Sequence, residues 1–284
     1  MSCQWQLFLK LLPPWLREPV DRLGKSNLTE LRMRIGRAPE LVLFNRSIWL
    51  NGSITTDDMQ FCINAASQFS PWAASSVPQG FITAPGGHRI GICGEAILSN
   101  GICTGFHNIS SLCLRVARDF PEISAGFQDF TSSVLIIGPP GSGKTTLLRD
   151  MIRARSNRGP GSVAVIDERG EIFPTIDGAP CFTTGMRTDI LSGVSKAQGI
   201  ISLIRTMGAC TVAADEITEE EDCHALIHAS FCGVSILATA HADSISDLYK
   251  RVVYKPIIER RIFDSVIILQ RDKSWKVERI HYDS

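Results

Sequence analysis

No stretch of this 284-residue chain approaches the roughly 20 uninterrupted apolar residues that a membrane-spanning helix needs. Neither sign of charge is in excess. The 29 basic residues cancel the 29 acidic ones, which argues against a dominant nucleic-acid or membrane surface and leaves room only for a local basic patch. Clusters of aromatic and basic residues, the platforms on which single strands stack, are absent, so there is no strong nucleic-acid signal. Cys-x-x-Cys pairs are missing too. Nine cysteines are scattered from Cys3 to Cys232, an odd count without a spacing framework, which fits free thiols in a reducing cytosol better than disulfides or zinc. The N-terminal WQLFLKLLPPWLREPV is interrupted by Lys10, Pro13, Pro14 and Arg17 and precedes no small-residue cleavage site, so it does not read as a signal peptide. There is no internal repeat and no low-complexity tract.

What remains, 44% hydrophobic and 20% charged residues, describes an ordinary soluble globular protein long enough for one large or two modest domains. Two is the better reading, because the periodicity changes along the chain. Gln4 to Leu12 suits a short amphipathic helix stopped by Pro13-Pro14, and Pro14 to Leu23 suits a second. These are packing helices or, less simply, a membrane-surface anchor with a thin basic face. From Leu31 the period shifts toward 2, with Leu31, Met33 and Ile35 alternating with arginines, followed by strands in ELVLFN and SIWLNG. A helix opens at Asp57-Asp58, with Asp57 or Thr56 as cap and an apolar stripe through Met59, Ile63, Ala66 and Phe69. A hairpin is expected from 80–83 and 88–94 across Pro85-Gly86-Gly87, and a further strand at Ser111 to Val116. Residues 1–122 therefore read as a smaller α+β domain and 123–132 as a crossing linker. From 133 to 284 strands alternate with helices, which implies an α/β domain with a mostly parallel sheet. Its strands are expected at 134–137, 163–167, 211–215 and 235–240, with a final pair at 265–270 and 275–280.

The chemistry is concentrated where the first of these strands ends. Val134 to Ile137 runs into Gly138-Pro139-Pro140-Gly141-Ser142-Gly143-Lys144-Thr145-Thr146, which fits the phosphate-loop pattern of two glycines framing four residues and then Lys and a hydroxyl. Glycines there let backbone N–H groups approach phosphate oxygens, and the helix that follows directs its positive end at the same point. Lys144 is expected to reach the β and γ phosphates of ATP and the Thr145 hydroxyl to hold Mg²⁺.

Three further strands end in charged groups, where ligands of open α/β sheets sit. Asp215-Glu216 supplies both a metal carboxylate, Asp215, and an acceptor that orients the attacking water, Glu216. In Asp167-Glu168-Arg169-Gly170-Glu171, Glu168 is either a second carboxylate for the water or metal, or part of a salt-linked turn. His241 either reads the γ-phosphate or packs at a strand end. His224 and His228 share a helical face, a zinc spacing without a third ligand in frame, and read better as plain helix surface.

Together the phosphate loop, the DERGEI turn, RTDILSGVSKAQGIISLIRTMGACTVAADEI and ILATAHA resemble the stage III sporulation protein AA family. That family is similar to the hexameric ATPases of type II and type IV secretion systems. The resemblance implies a RecA-like P-loop NTPase domain, with strand-end acids forming an "Asp box", Glu216 in a Walker B element and His241 in a "His box". Arg89 and Arg115, with Arg118 behind them, match arginines that reach a neighbouring subunit's nucleotide. It further implies a cytoplasmic homo-hexameric ATPase, peripheral at the membrane through membrane-embedded sporulation channel proteins and powering transport. Two rivals stand beside it: a nucleotide-binding switch with little turnover, and a RecA-like nucleic-acid motor. The chain departs from the family pattern in carrying Gly208-Ala209-Cys210 before the Walker B strand and Glu219-Glu220-Glu221-Asp222 after it.

Overall fold

Burial on two faces, rather than alternation, distinguishes the strands that carry the phosphate loop from those nearer the N-terminus. The computed structural model describes residues 2–67, 77–78 and 80–279. The chain is α/β with mixed sheets and divides into two compact units, Met1–Asp119 with Pro174–Phe182, and Phe120–Phe173 with Thr183–Ser284.

In the first unit, α1 (Trp5–Lys10) and α2 (Pro14–Leu23) precede β1 (Leu28–Arg34), β2 (Glu40–Leu43), β3 (Ser47–Trp49), α3 (Thr56–Ser67), β4 (Phe81–Ala84), β5 (His88–Ser99) and β6 (Ile102–Arg115). The strands form one six-stranded antiparallel sheet in the order β3-β2-β1-β6-β5-β4. Period-2 alternation decides which face is covered: Leu31, Met33, Ile90, Ile92, Leu112 and Leu114 join the side chains of α1 to α3 in one core, while Arg32, Arg34 and Arg115 point the other way. Trp5, Phe8 and Leu9 of α1 are buried in that core, so it is a packing helix and not a surface anchor. The cap of α3 is Thr55, one residue earlier than expected. Its Oγ1 accepts the Asp58 N–H at 3.2 Å, and Asp58 Oδ2 accepts the Thr55 N–H at 2.9 Å, a reciprocal box that neither Thr56 nor Asp57 provides. Of the apolar stripe on this helix, Phe69 lies outside the described residues.

His88, at the start of β5, is fully buried; its Nε2–H donates to Gln4 O at 3.1 Å and its Nδ1 accepts from the Ala117 N–H at 3.0 Å. Burial pushes its pKa down to about 4. The unfolded chain therefore takes up this proton first as pH falls from about 6.5, and the stabilisation conferred by neutral His88 is lost between there and about 4. The urea midpoint of the full chain should fall across that window, and His88→Gln should flatten the dependence whatever it does to absolute stability.

In the second unit the chain runs through β7 (Val134–Ile137), α4 (Lys144–Arg158) and β8 (Val163–Asp167). A short hairpin of β9 (Thr175–Ile176) and β10 (Ala179–Pro180) lies within the segment that groups with the first unit. The second unit resumes with β11 (Thr188–Ser192), α5 (Lys196–Met207), β12 (Thr211–Ala214), α6 (Glu220–Phe231), β13 (Ser235–Ala240), α7 (Ile245–Lys250), α8 (Lys255–Glu259), β14 (Ser265–Leu269) and β15 (Trp275–Arg279). The seven-stranded sheet has the order β11-β8-β12-β13-β7-β14-β15 and is parallel throughout except for β14 against β15. Strands β7, β8, β12 and β14 are buried at every position, as a sheet with helices on both faces requires. Edge strand β11 had no counterpart among the expected strands, because TDILS is half polar and pairs on one side only.

Residues 123–132, expected as a linker, group with the second unit. The buried carboxylate of Asp150 on α4 anchors their start, accepting from Glu122 N at 2.9 Å, Ser124 N at 2.7 Å, Ser124 Oγ at 2.6 Å and Arg153 Nε at 2.8 Å. Burial alone would raise its pKa, but these bonds outweigh it and hold it below the ordinary carboxylate value. Asp150→Ala leaves the Arg153 guanidinium without its buried partner, and should cost about 3–5 kcal/mol in equilibrium denaturation.

Candidate functional site

Parallel register gathers four strand ends on one edge of the sheet, at two levels. Ile137 pairs with Ala240, and Ala214 with Ala238 and with Ile166, so Asp215 and Asp167 lie level with Thr239, and Gly138 and His241 emerge together two residues further on. The chain leaves β7 for β8, three places away, while β14 lies on the other side, so this is the switch point where open sheets form a crevice.

The loop from Gly138 to Thr145 shows why its glycines are needed. A Cβ on Gly138 would meet Leu269 O at 2.7 Å and Ser142 Oγ at 2.8 Å, and Gly143 caps α4 at φ +102, in the left-handed region. No side chain caps the first turn of α4. Its amide donors therefore remain available to an anion. The buried Ser142 hydroxyl also has no hydrogen-bond partner. Lys144, itself buried, folds over the loop, donating to Gly138 O at 2.9 Å, Pro139 O at 3.2 Å and His241 Nδ1 at 3.1 Å. Burial pushes its pKa down, partly offset by Asp215, Glu216 and Asp243. Pro139, Pro140, Gly141 and Thr146 complete the loop and the helix start.

Thr145 and Asp215 meet at the end of β12. Thr145 Oγ1 donates to Asp215 Oδ2 at 2.6 Å across 70 residues of sequence, and the Thr239 hydroxyl donates to the other carboxylate oxygen. Burial pushes the Asp215 carboxyl up, both hydroxyls oppose that, and the charges of Glu216 and Glu171 add to it. A buried carboxylate bonded to the Thr145 hydroxyl suits a magnesium ion. Among the described residues no three His, Cys, Asp or Glu side chains gather as a metal site.

Glu216 holds a left-handed backbone, φ +50, uncommon for a residue with a side chain, and its N–H donates to Thr239 Oγ1 at 2.8 Å. Its carboxylate lies 3.4 Å from His241 Nε2 and 3.7 Å from Arg169 Nη1. With the proton on Nε2, His241 accepts from Lys144 and donates to Glu216, joining two candidate residues that their positions in the chain do not connect. Asp167, by contrast, is consumed by its own turn: it accepts the N–H groups of Glu171 at 2.8 Å, Ile172 at 3.1 Å and Phe173 at 2.8 Å. Glu168 faces the same cleft as Asp215 and Glu216 but is ion-paired to Lys196 at 2.7 Å. Lys196 and Thr239 are the residues that the sequence reading passed over. A lone hydroxyl inside the apolar run of β13 was the available signal for Thr239.

Arg89 and Arg115 lie in the first unit as cross-strand partners, Arg89 over the Phe81 ring at 3.8 Å from its centroid and Arg115 3.3 Å from Glu30. Arg118 is turned to the backbone, donating to the carbonyls of Lys25 and Leu28. His224 and His228 are exposed on α6.

The model of the family described as sporulation stage III, protein AA, matches residues 9–283. The chain belongs to that family. It is 37% identical over 277 residues to the stage III sporulation protein AA of Bacillus subtilis (strain 168), covering 93% of this chain and 90% of that one. In fold it is similar to the Legionella pneumophila ATPase DotB, at TM-score 0.62 and 16% identity over 94% of this chain and 80% of that one. It is likewise similar to the pilus retraction motor PilT, solved with bound ADP, at TM-score 0.64 and 14% identity over 93% of this chain and 83% of that one. It is thus a sporulation stage III protein with the fold of secretion-type ATPases.

Within this family member, Thr239 is a structural test of the site. Thr239→Val removes the donor to Asp215 and the acceptor for the Glu216 N–H, both out of water, and should cost about 1–3 kcal/mol in urea denaturation.

Proposed function

We propose that this protein is a magnesium-dependent ATPase that assembles as a ring and powers a secretion-like transport channel during sporulation. One observation carries the hydrolytic part: the Thr145 hydroxyl and the Asp215 carboxylate, 70 residues apart in the chain, meet at 2.6 Å. ATP is the substrate, its phosphates received by the amides of the Gly138–Thr146 loop and by Lys144, which exchanges the loop carbonyls for phosphate oxygens. Magnesium, held by Thr145 and Asp215, would neutralise charge on the β and γ phosphates. Glu216 accepts a hydrogen bond from the attacking water, with Glu168 as the second carboxylate of the cleft. His241, bonded between Lys144 and Glu216, relates the occupancy of the loop to the position of the acceptor.

The chain's likeness in fold to DotB and PilT supports the ring reading. Arg89 and Arg115 of one subunit are the candidates to stabilise charge on a neighbour's transferred phosphoryl group. No helix among the described residues is long and apolar enough to cross a membrane. The ring would reach the bilayer by docking on membrane-embedded channel proteins.

Phosphate release tests this reading. Lys144→Ala should abolish nucleotide binding and turnover together. Glu216→Gln should bind ATP within about threefold of the wild type but lose turnover by about 10²-fold or more, as expected when a group that acts only in the transition state is removed. Wild-type protein that binds ATP yet releases no phosphate, with Glu216→Gln indistinguishable from it, overturns hydrolysis in favour of a switch.

A further inference from the structure

Lys196 is the first residue of α5, next to the N-cap Ser195, and it is 8% exposed. Both circumstances count against a lysine there: the positive end of a helix repels a cation, and burial strips the ammonium of water. The fold retains it against these costs because of what it joins. Its Nζ lies 2.7 Å from Glu168 Oε2 and 3.5 Å from Asp222 Oδ2. Glu168 belongs to the turn after β8. Asp222 closes the capping box of α6, its Oδ2 accepting the N–H groups of Thr218 and Glu219, immediately downstream of Asp215-Glu216. One ammonium thus ties together the two acid-bearing strand ends of the cleft, whose walls hold Glu168, Asp215, Glu216 and Lys196 itself.

We propose that Lys196 is a positioning residue for ATP hydrolysis: its ammonium fixes the Glu168 carboxylate and the first turn of α6 relative to Asp215 and Glu216. The inference rests on the hydrolytic reading above. Without Lys196, Glu168 is an unpaired carboxylate among like charges, repelled by Glu216 and drawn toward any cation at Asp215, so the acceptor and metal carboxylates lose their relative placement. The phosphate loop does not touch Lys196, so nucleotide affinity should be spared while the chemical step suffers. Arginine at this position preserves the charge and the reach to both acids; methionine preserves only the length.

The test compares Lys196→Met, Lys196→Arg, Glu168→Gln and Lys196→Met/Glu168→Gln in the full chain. Lys196→Met should lower kcat about tenfold or more with ATP affinity within about threefold of the wild type, and Lys196→Arg should recover most of the loss. The double variant should turn over no more slowly than the slower of its two single changes, so that the two changes are non-additive, as expected when Lys196 acts through Glu168. Amide hydrogen exchange of residues 167–173 and 216–223, which needs no turnover, should rise in Lys196→Met and return to the wild-type level in Lys196→Arg. Unchanged exchange in Lys196→Met, or an unchanged kcat in that variant, overturns the proposal. Should Lys196→Met fail to fold, faster exchange of the same two segments in Lys196→Gln supports it and unchanged exchange overturns it. A wild type that releases no phosphate sinks the hydrolytic reading instead, and the exchange comparison still decides whether Lys196 holds the two segments.

Discussion

The site depends on the register of four parallel strands. Because Ile166 and Ala214 lie level with Ala238, and Ile137 with Ala240, Asp215 leaves β12 beside Thr239 while Gly138 and His241 leave the sheet together two residues further on. Slipping β12 by one residue would turn Asp215 to the other face of the sheet and part it from Thr145. The strands are buried on both faces, so a slip would draw polar residues at the strand ends into closed apolar layers. The apolar layers of the second unit therefore act on the chemistry indirectly, by holding a register.

Given that register, polar groups at the crevice make two bonded sets, one through Thr239 and His241 and one through Lys196. Thr239 binds both the Asp215 carboxylate and the Glu216 backbone, His241 lies between Lys144 and Glu216, and Lys196 bridges Glu168 to Asp222. Two strained or costly features sit within them, the left-handed Glu216 and the buried Lys196 at a helix start. Local rules are broken here where a site demands it.

Elements were legible in the sequence where a local pattern carries them. β7, β8 and β13 match their expected spans because continuous β-branched and apolar runs bounded by turn residues have few alternatives. β11 escaped because a half-polar edge strand lacks that signature. The cap of α3 escaped because Thr55, Thr56, Asp57 and Asp58 are all capping residues, and only the reciprocal bonds of Thr55 and Asp58 choose between them. Residues 123–132 looked like a linker by composition. The buried Asp150 that anchors the start of this stretch lies 26 residues from Ser124, beyond the reach of any pattern.

The phosphate loop, the acids at the strand ends and membership in a sporulation family were determined by the sequence alone, since each is a short contiguous signature. Which acid does what was decided only by tertiary structure. Asp167 and Asp215 end apolar strands in the same way, yet one carboxylate is spent on the amides of its own turn while the other meets the Thr145 hydroxyl. The physical reason is that a carboxylate's role is set by the donors within about 3 Å of it, and the packing of the sheet, not proximity along the chain, brings those donors to Asp215.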